Sequence, residues 1–483
     1  MATEKVSTKV SITNQTDGNA SIILYHRNDW GTQTVRWEAG PGQTVGSVEI
    51  PYEIGAGSYT QDDYWSVTLL VKDGSSPGQY INGGSLLDPY IKECQLQHED
   101  ADHTLTFRVD TNKLEINTIS RPCDDDMVRF GPSNPHHISH VFVLVLENRS
   151  FDNLFAMSGI QGIQVATPEN ANTYDGVRYP VHGGAPAVMT TDPGHEFLDV
   201  VEQLAGEGAV FPEHGPYPPV NMSGFAANYA TSTTEGPKPD PSHIGDIMAM
   251  LDTNQQVPGL ASLARNFAIC DHWFSSLPGP TWPNRFFVHG ASSSGLDDSP
   301  SGYDIFEWET VSGFEYGNDS IYEALKDAGL GYRLYADFSL DAATYRLSLF
   351  SSDPEASLPG DMSGSIPQVA SLHGVSMLDI NSLEHFASDL RGPYPYPYTF
   401  IEPHYGDIMA NTYVGGSSQH PMDDPGGGDA LVQFVFNAIR LSPYWQNSLL
   451  IITYDEHGGF YDSVSPGPAV PPGDTPPHDL NQH

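Results

Sequence analysis

Two unbroken apolar runs, far apart in the chain, limit what it can fold into more than any other feature. Val141-Phe142-Val143-Leu144-Val145-Leu146 and Leu449-Leu450-Ile451-Ile452-Thr453-Tyr454 show no alternation with charged residues. A strand without a polar face is covered on both sides, as in a parallel sheet flanked by helices. Helical stretches are expected between them, at Ser320 to Ala328 and Asp429 to Leu441. Strands alternating with helices predict a doubly wound, mostly parallel α/β sheet. Long Gly- and Pro-rich insertions, such as Gly206 to Pro241, are expected to form loops around a site.

Both runs end in hard oxygen donors. The first leads directly into Glu147-Asn148 and the second into Asp455-Glu456-His457. Ligands of open parallel sheets bind beyond the carboxyl ends of the strands. Carboxylate and amide oxygens suit a divalent cation such as Mg²⁺, Ca²⁺ or Mn²⁺. One acid after a strand ordinarily starts a loop or caps a helix. Two such ends, with Gly458-Gly459 permitting close backbone approach, favour a shared metal.

A third element is Pro278-Gly279-Pro280-Thr281-Trp282-Pro283-Asn284-Arg285. The Pro two residues after Thr281 suits the first turn of a helix. Helix N-termini attract phosphate through their N–H groups and dipole. Thr281 is thus a nucleophile in waiting, needing activation by a metal or base, although taken alone it reads as a helix N-cap. His289 follows two helical turns later, with a core or capping role equally open. The 19 histidines are too many for all to be functional. His195 in Asp192-Pro193-Gly194-His195, His420 in Gln419-His420-Pro421 and His404 after Ile401-Glu402-Pro403 stand in turns or loops.

Upstream, residues 1–120 read as all-β. His103 to Asp110 alternates polar and apolar residues, and Lys113-Leu114-Glu115-Ile116-Asn117 continues after an Asp-Thr-Asn turn. Ser21 to Tyr25 and Trp65 to Val71 are further strands, punctuated by turns such as Ala39-Gly40-Pro41-Gly42. Short strands with such turns predict a β-sandwich. Arg121-Pro122-Cys123-Asp124-Asp125-Asp126 breaks the pattern, so 121–136 is expected to be a linker and 137–483 the catalytic domain.

Charge narrows the partners. Lys and Arg total 20 against 61 Asp and Glu, a formal charge of -41. Such a chain repels nucleic acids and anionic membranes. Three cysteines, Cys94, Cys123 and Cys270, do not make a disulfide scaffold, though one bridge and one free thiol fit the count. Met1 to Lys5 lack the apolar run of a signal peptide. That predicts a soluble protein, cytoplasmic or secreted by a non-classical route.

Four blocks carry a family resemblance. They are Leu146-Glu147-Asn148-Arg149-Ser150-Phe151-Asp152, Pro278 to Arg285, Ile401-Glu402-Pro403, and Ile451 to Asp462. In this order they resemble the phosphoesterase family of non-specific phospholipases C and acid phosphatases, from about Ile138 onward. The resemblance implies an alkaline phosphatase-like fold and a divalent metal ion (Mg, Ca, Mn or Zn). It implies that Glu147 and Asn148 form one ligand pair and Asp455 and Glu456 another. Thr281 matches the nucleophile, and His195 and His420 match histidines lining the phosphate site, whereas His404 and His457 are not expected as ligands. Similar proteins continue with further strands after the last motif, so this chain reads as short at its C-terminus.

The implied reaction is hydrolysis of a phospholipid phosphodiester, phosphatidylcholine to diacylglycerol and phosphocholine, through a phosphothreonine. A broad acid phosphatase and an inactive lipid- or glycan-binding protein are the alternatives. Trp273, Trp282 and Tyr394/Tyr396/Tyr398 are available to cage a choline group. Trp30, Trp37 and Tyr80 would give the β region peripheral membrane contact, unless they fill its core.

Overall fold

The alternation read at 103–117 is an alternation of burial. Leu105, Phe107 and Val109 point inward from Thr104–Val109, as do Leu114 and Ile116 from Lys113–Asn117. Between these strands the Asp110 carboxylate accepts from the N–H groups of Asn112 (2.6 Å) and Lys113 (2.8 Å), an Asx turn. At the other turn, Gln43 N–H donates to Gly40 carbonyl at 3.0 Å, and Gly42 takes φ +69°. Pro41 ahead of a left-handed glycine is the type II arrangement.

The structure is a computed structural model that describes residues 4–28, 31–54, 63–84, 90–130, 138–211, 216–337, 367–406 and 413–473. Its N-terminal strands are β1 (Glu4–Asn14), β2 (Ala20–Asn28), β3 (Gly31–Ala39), β4 (Thr44–Ile54) and β5 (Tyr64–Val71). They are followed by β6 (Gly78–Asn82), β7 (Lys92–Glu93), β8 (Thr104–Val109), β9 (Lys113–Asn117) and β10 (Pro122–Phe130). They join in the order β3-β2-β5-β6-β10-β9-β8-β1-β4, with β7 on β5. One core, containing Val10, Ile22, Trp65, Val67, Phe107 and Ile116, serves the whole array. Tyr80 belongs to that core and Trp37 packs half-buried against it, while Trp30 lies outside the described residues.

The expected linker is corrected here, because its residues 122–130 are β10. The first half of β10 pairs with β9 and the second with β6, so it joins the two halves of the array. Two charges of its acidic run find donors. Asp125 accepts from Asn82 Nδ2 (3.0 Å) and Gly84 N–H (2.9 Å), and Asp124 pairs with Lys113 at 2.6 Å. Cys123 is bridged to Cys94, and Cys270 is free and exposed.

The chain divides into two compact units, one holding Met1–Val141, Glu384–Pro397 and Val435–Leu449 and the other the remainder. The domain boundary drawn in the sequence therefore shifts. Two later segments join the first unit because its strands hold them. Arg36 Nη1 donates to the Arg440 carbonyl (3.1 Å), and the Arg391 guanidinium lies 3.8 Å from the Tyr25 ring centre.

The second unit is mixed α/β. Small ribbons pair β12 (Ala171–Tyr174) with β13 (Val177–Pro180), and β14 (His182–Gly183) with β15 (Ala249–Met250). The main sheet contains β11 (His140–Leu146), β16 (Tyr332–Ala336), β17 (Ile380–Ser382), β18 (Tyr398–Glu402) and β19 (Ser448–Tyr454), in the order β17-β16-β18-β11-β19. Strand β16 runs parallel to both β17 and β18. The central β11 is buried almost throughout, but β19 is largely half-buried. The second apolar run was expected to be covered on both faces. Among the described residues it instead ends the sheet, with a strand neighbour on one side only.

Helices Ile321–Asp327 and Pro425–Arg440 fall close to the expected positions. The region 206–241, expected as loop, contains the helix Phe225–Thr231, anchored by buried Phe225 and Tyr229. Tyr394 and Tyr398 are buried packing residues, whereas Trp273 is exposed. No helix among the described residues is long and apolar enough to cross a membrane.

Candidate active site

Strands β11 and β19 end side by side, and their ends are tied together. Asp455 N–H donates to the Leu146 carbonyl at 3.2 Å, and Asn148 N–H donates to Asp455 Oδ1 at 3.2 Å. Asn148 adopts the left-handed φ of +61°. This conformation is tolerated by Asn better than by most residues. Its Nδ2 donates to Glu456 Oε1 and, at 3.1 Å, to Thr281 Oγ1. One amide therefore gathers both strand ends and the expected nucleophile.

Gly458 and Gly459 do approach something closely, but it is protein. A Cβ on Gly458 would overlap the Asn148 carbonyl, and one on Gly459 would crowd Pro193 and the Gly194 carbonyl. Both take positive φ, +63° and +71°. They let the second strand end nest against the first and against the loop that bears His195.

Thr281 is the first residue of the helix Thr281–Gly290, and Pro280 is its N-cap. The simple capping role open to Thr281 is thereby removed. The preceding turn is fixed by Asn284. Its Nδ2 donates to the carbonyls of Leu277 (3.1 Å), Gly279 (2.9 Å) and Pro280 (3.1 Å), and its Oδ1 accepts from Leu277 N–H at 3.0 Å. His289 is not on the reacting face. It is buried, bonded to Tyr322 Oη at 3.0 Å, and pushed down to about 3 by burial and then by Arg285.

Arg285 lies one turn beyond Thr281 and is fully buried. Its Nε donates to Asp455 Oδ2 at 2.9 Å, its Nη2 to the Val145 carbonyl at 3.2 Å, and its Nη1 stands 3.7 Å from Glu402 Oε1. Glu402 ends β18 and also accepts from Gln368 N–H (2.8 Å) and Val369 N–H (3.1 Å). Three strand ends thus meet one guanidinium.

The two expected histidines sit together, with ring centres 6.1 Å apart. His195 Nδ1 donates to the Pro193 carbonyl at 2.8 Å, and its Nε2 is 3.8 Å from Glu235 Oε1. His420 Nε2 is 3.6 Å from Asp192 Oδ2, and its ring stacks on Tyr413 at 3.5 Å. Burial opposes charge on His195, but Glu235, Glu456 and Asp192 outweigh it and push its pKa up to about 10. His420 moves the other way, well below the usual range, through burial and then the His195 and Arg149 charges.

The phosphoesterase family model matches residues 138–478, well over half of the chain. The chain belongs to the phosphoesterase family. Non-specific phospholipase C4 of Arabidopsis thaliana is 30% identical over 353 residues, covering 71% of this chain and 58% of the relative. Non-specific phospholipase C3 of the same plant is 29% identical over 349 residues, 70% and 58% respectively. Phospholipase C B of Mycobacterium tuberculosis is 27% identical over 356 residues, 71% and 63%. The chain therefore spans less than two thirds of the length of these phosphoesterase relatives.

A divalent metal implied by the phosphoesterase family has suitable donors here. Glu147 Oε1 and Asn148 Oδ1 are buried without a hydrogen-bond partner. Buried oxygens normally find donors, so this pair suits a cation. Glu147 is raised above the usual carboxylate range by burial and then by Asp455. A nearby positive charge would relieve it. Asp455 is less free, since Arg285 and two N–H groups already engage it. Among the described residues, no three His, Cys, Asp or Glu side chains form a ready-made metal cage.

Several residues of this candidate site have no role in the sequence reading. Asn284, Arg285 and Glu402 lie inside the recognised blocks. A third strand ending in an acid, at Ile401-Glu402, was the available signal for the last of them. Glu235 and Asp192 carry no such signal. His457 supports Glu456 from 3.4 Å and is itself bonded to Gln203 at 2.6 Å.

Proposed function

We propose that this chain is a metal-dependent phosphoesterase that cleaves phospholipid phosphodiesters of the phosphatidylcholine type through a phosphothreonine on Thr281. The observation that carries the reading is the Asn148 amide, bonded at once to Thr281 and Glu456, beside two donorless oxygens. The names of the plant and mycobacterial relatives support phospholipid as substrate. In this reading the sheet is doubly wound and alkaline phosphatase-like, and the N-terminal strands form a sandwich. The catalytic domain corresponds to the second compact unit, and contact with lipid is peripheral.

Glu147 and Asn148, with Asp455 and Glu456, would hold the metal, which when bound supplies a Lewis acid for the phosphate and the threonine hydroxyl. The chain's own groups do the rest. The Asn148 amide orients Thr281 Oγ1. The first turn of the Thr281–Gly290 helix presents N–H groups that have no acceptor within the helix to phosphate oxygens. Thr281 Oγ1 attacks phosphorus in line, the alcohol leaves, and water cleaves the phosphothreonine. Positioned donors stabilise the charge on the transferring group.

Purified protein should hydrolyse p-nitrophenyl phosphorylcholine in preference to p-nitrophenyl phosphate, lose activity in EDTA and regain it with added divalent metal. Thr281→Ala should abolish turnover with an unchanged melting curve. Preference for the monoester would select the phosphatase instead. A Thr281→Ala protein of near wild-type rate would sink the mechanism.

A further inference from the structure

We propose that His195 is the histidine that carries the moving proton at this site, while His420 is a neutral Nε2–H donor that keeps its protonation state throughout. This rests on the phosphoesterase reading and assigns roles within it. Asp192 and Glu235 are then positioning residues.

The assignment follows from the direction of two hydrogen bonds. The partner of His195 Nδ1 is the Pro193 carbonyl, which can only accept. Nδ1 therefore holds a hydrogen in every state, and gain or loss of a proton is confined to Nε2. That nitrogen faces Glu235, with Asp192 and Glu456 adding negative field and the His420 ring opposite. His420 is wired in reverse. Its Nδ1 accepts the backbone N–H of Met422 at 3.2 Å, so the ring proton sits on Nε2, toward Asp192.

Placing a second proton on His420 would set N–H against N–H. It would also bury a new charge beside His195 and Arg149, whose Nη2 is 3.3 Å from the His420 carbonyl. The Tyr413 ring covers one face of the imidazole. Such a ring donates a hydrogen bond well and exchanges a proton poorly.

The proton ledger closes on one nitrogen with Thr281 attacking as the alkoxide, its hydroxyl proton already passed to solvent, and departing as that alkoxide again. As the phosphorus–oxygen bond to the alcohol breaks, the departing oxygen takes the proton from His195 Nε2. His195 is left neutral, its Nδ1–H still on Pro193. When water attacks the phosphothreonine, it gives a proton back to Nε2 as the Thr281 oxygen departs. His420 hydrogen-bonds the phosphate without transferring anything.

Long-range ¹H–¹⁵N spectra of the full chain, labelled at histidine, read the proton positions without substrate. Expected are His195 doubly protonated at neutral pH and His420 neutral with a bare Nδ1. A protonated His420 Nδ1, or a neutral His195 at neutral pH, overturns the proposal. Kinetics add a second arm. Glu235→Gln should move the alkaline limb of kcat to lower pH by roughly one unit, with KM little changed. The sign follows because an acid works only while protonated, and loss of Glu235 lets it deprotonate sooner. His195→Gln should erase the limb, whereas His420→Gln, which places an amide N–H near the Nε2 position, should keep it. A limb that survives in His195→Gln and vanishes in His420→Gln reverses the roles. Absence of turnover on any phosphate ester would defeat the phosphoesterase reading alone, because the spectra decide the protons independently.

Discussion

Asn284 shows how much a single side chain decides. Four hydrogen bonds from one amide hold the turn that presents Thr281. Truncation leaves those backbone groups without partners, at about 1–3 kcal/mol for each that stays buried. More to the point, it frees Thr281 to wander, and a misplacement of about 1 Å in a reacting group costs on the order of 10²-fold in rate. Asn284→Ala should therefore lower kcat by about two orders of magnitude while the far-ultraviolet spectrum stays native. A variant with wild-type kcat would show that the turn holds itself. The sequence pointed to this block, but not to Asn284 or Arg285 within it. Their roles depend on what the helix packs against, which no local pattern encodes. Thr281, Glu147, Asn148, Asp455 and Glu456 were legible because each stands directly after a strand or at a helix start.

Strands were read well where burial alternates and poorly where partners replace pattern. Strands β8 and β9 declare themselves through every second residue. Strand β10 does not, because three consecutive aspartates look like chain in water. The donors to Asp124 and Asp125 come from Lys113, Asn82 and Gly84, and nothing near residue 124 in sequence announces the last two. The Cys94–Cys123 bridge fastens this strand across a sequence separation of 29. Closing a loop of that length restricts the unfolded chain by about 3–4 kcal/mol. Replacing both cysteines with alanine should lower the unfolding free energy by about that much in denaturant titration. An unchanged midpoint would mean that the strand pairing alone secures β10.

Across the whole molecule, charge dominates. A formal charge of -41 opposes approach to any anionic surface. Turnover of phosphatidylcholine vesicles should fall as phosphatidylserine is added at low salt. It should recover at high salt, where screening shortens the reach of the charges. Faster turnover on anionic vesicles would reveal a local basic patch that outweighs the total. Composition made this repulsion legible. The division into units was not, because Glu384–Pro397 and Val435–Leu449 join the first unit from far along the chain.

The burial of Arg285 has a consequence for how the site comes into being. Its guanidinium hydrogen-bonds the Val145 carbonyl of β11 and Asp455 beyond β19, and its Nη1, which has no hydrogen bond, stands at ion-pair distance from Glu402 of β18. A slip of one residue in a strand turns its side chains to the opposite face. The arginine would then be a cation sealed away from water with an acid missing, a state costing several kcal/mol. Arg285 thus acts as a proofreader of sheet alignment. A misaligned sheet is penalised at the candidate site first, so the population that passes the check is the one in which Asp455, Glu402 and Thr281 are brought together.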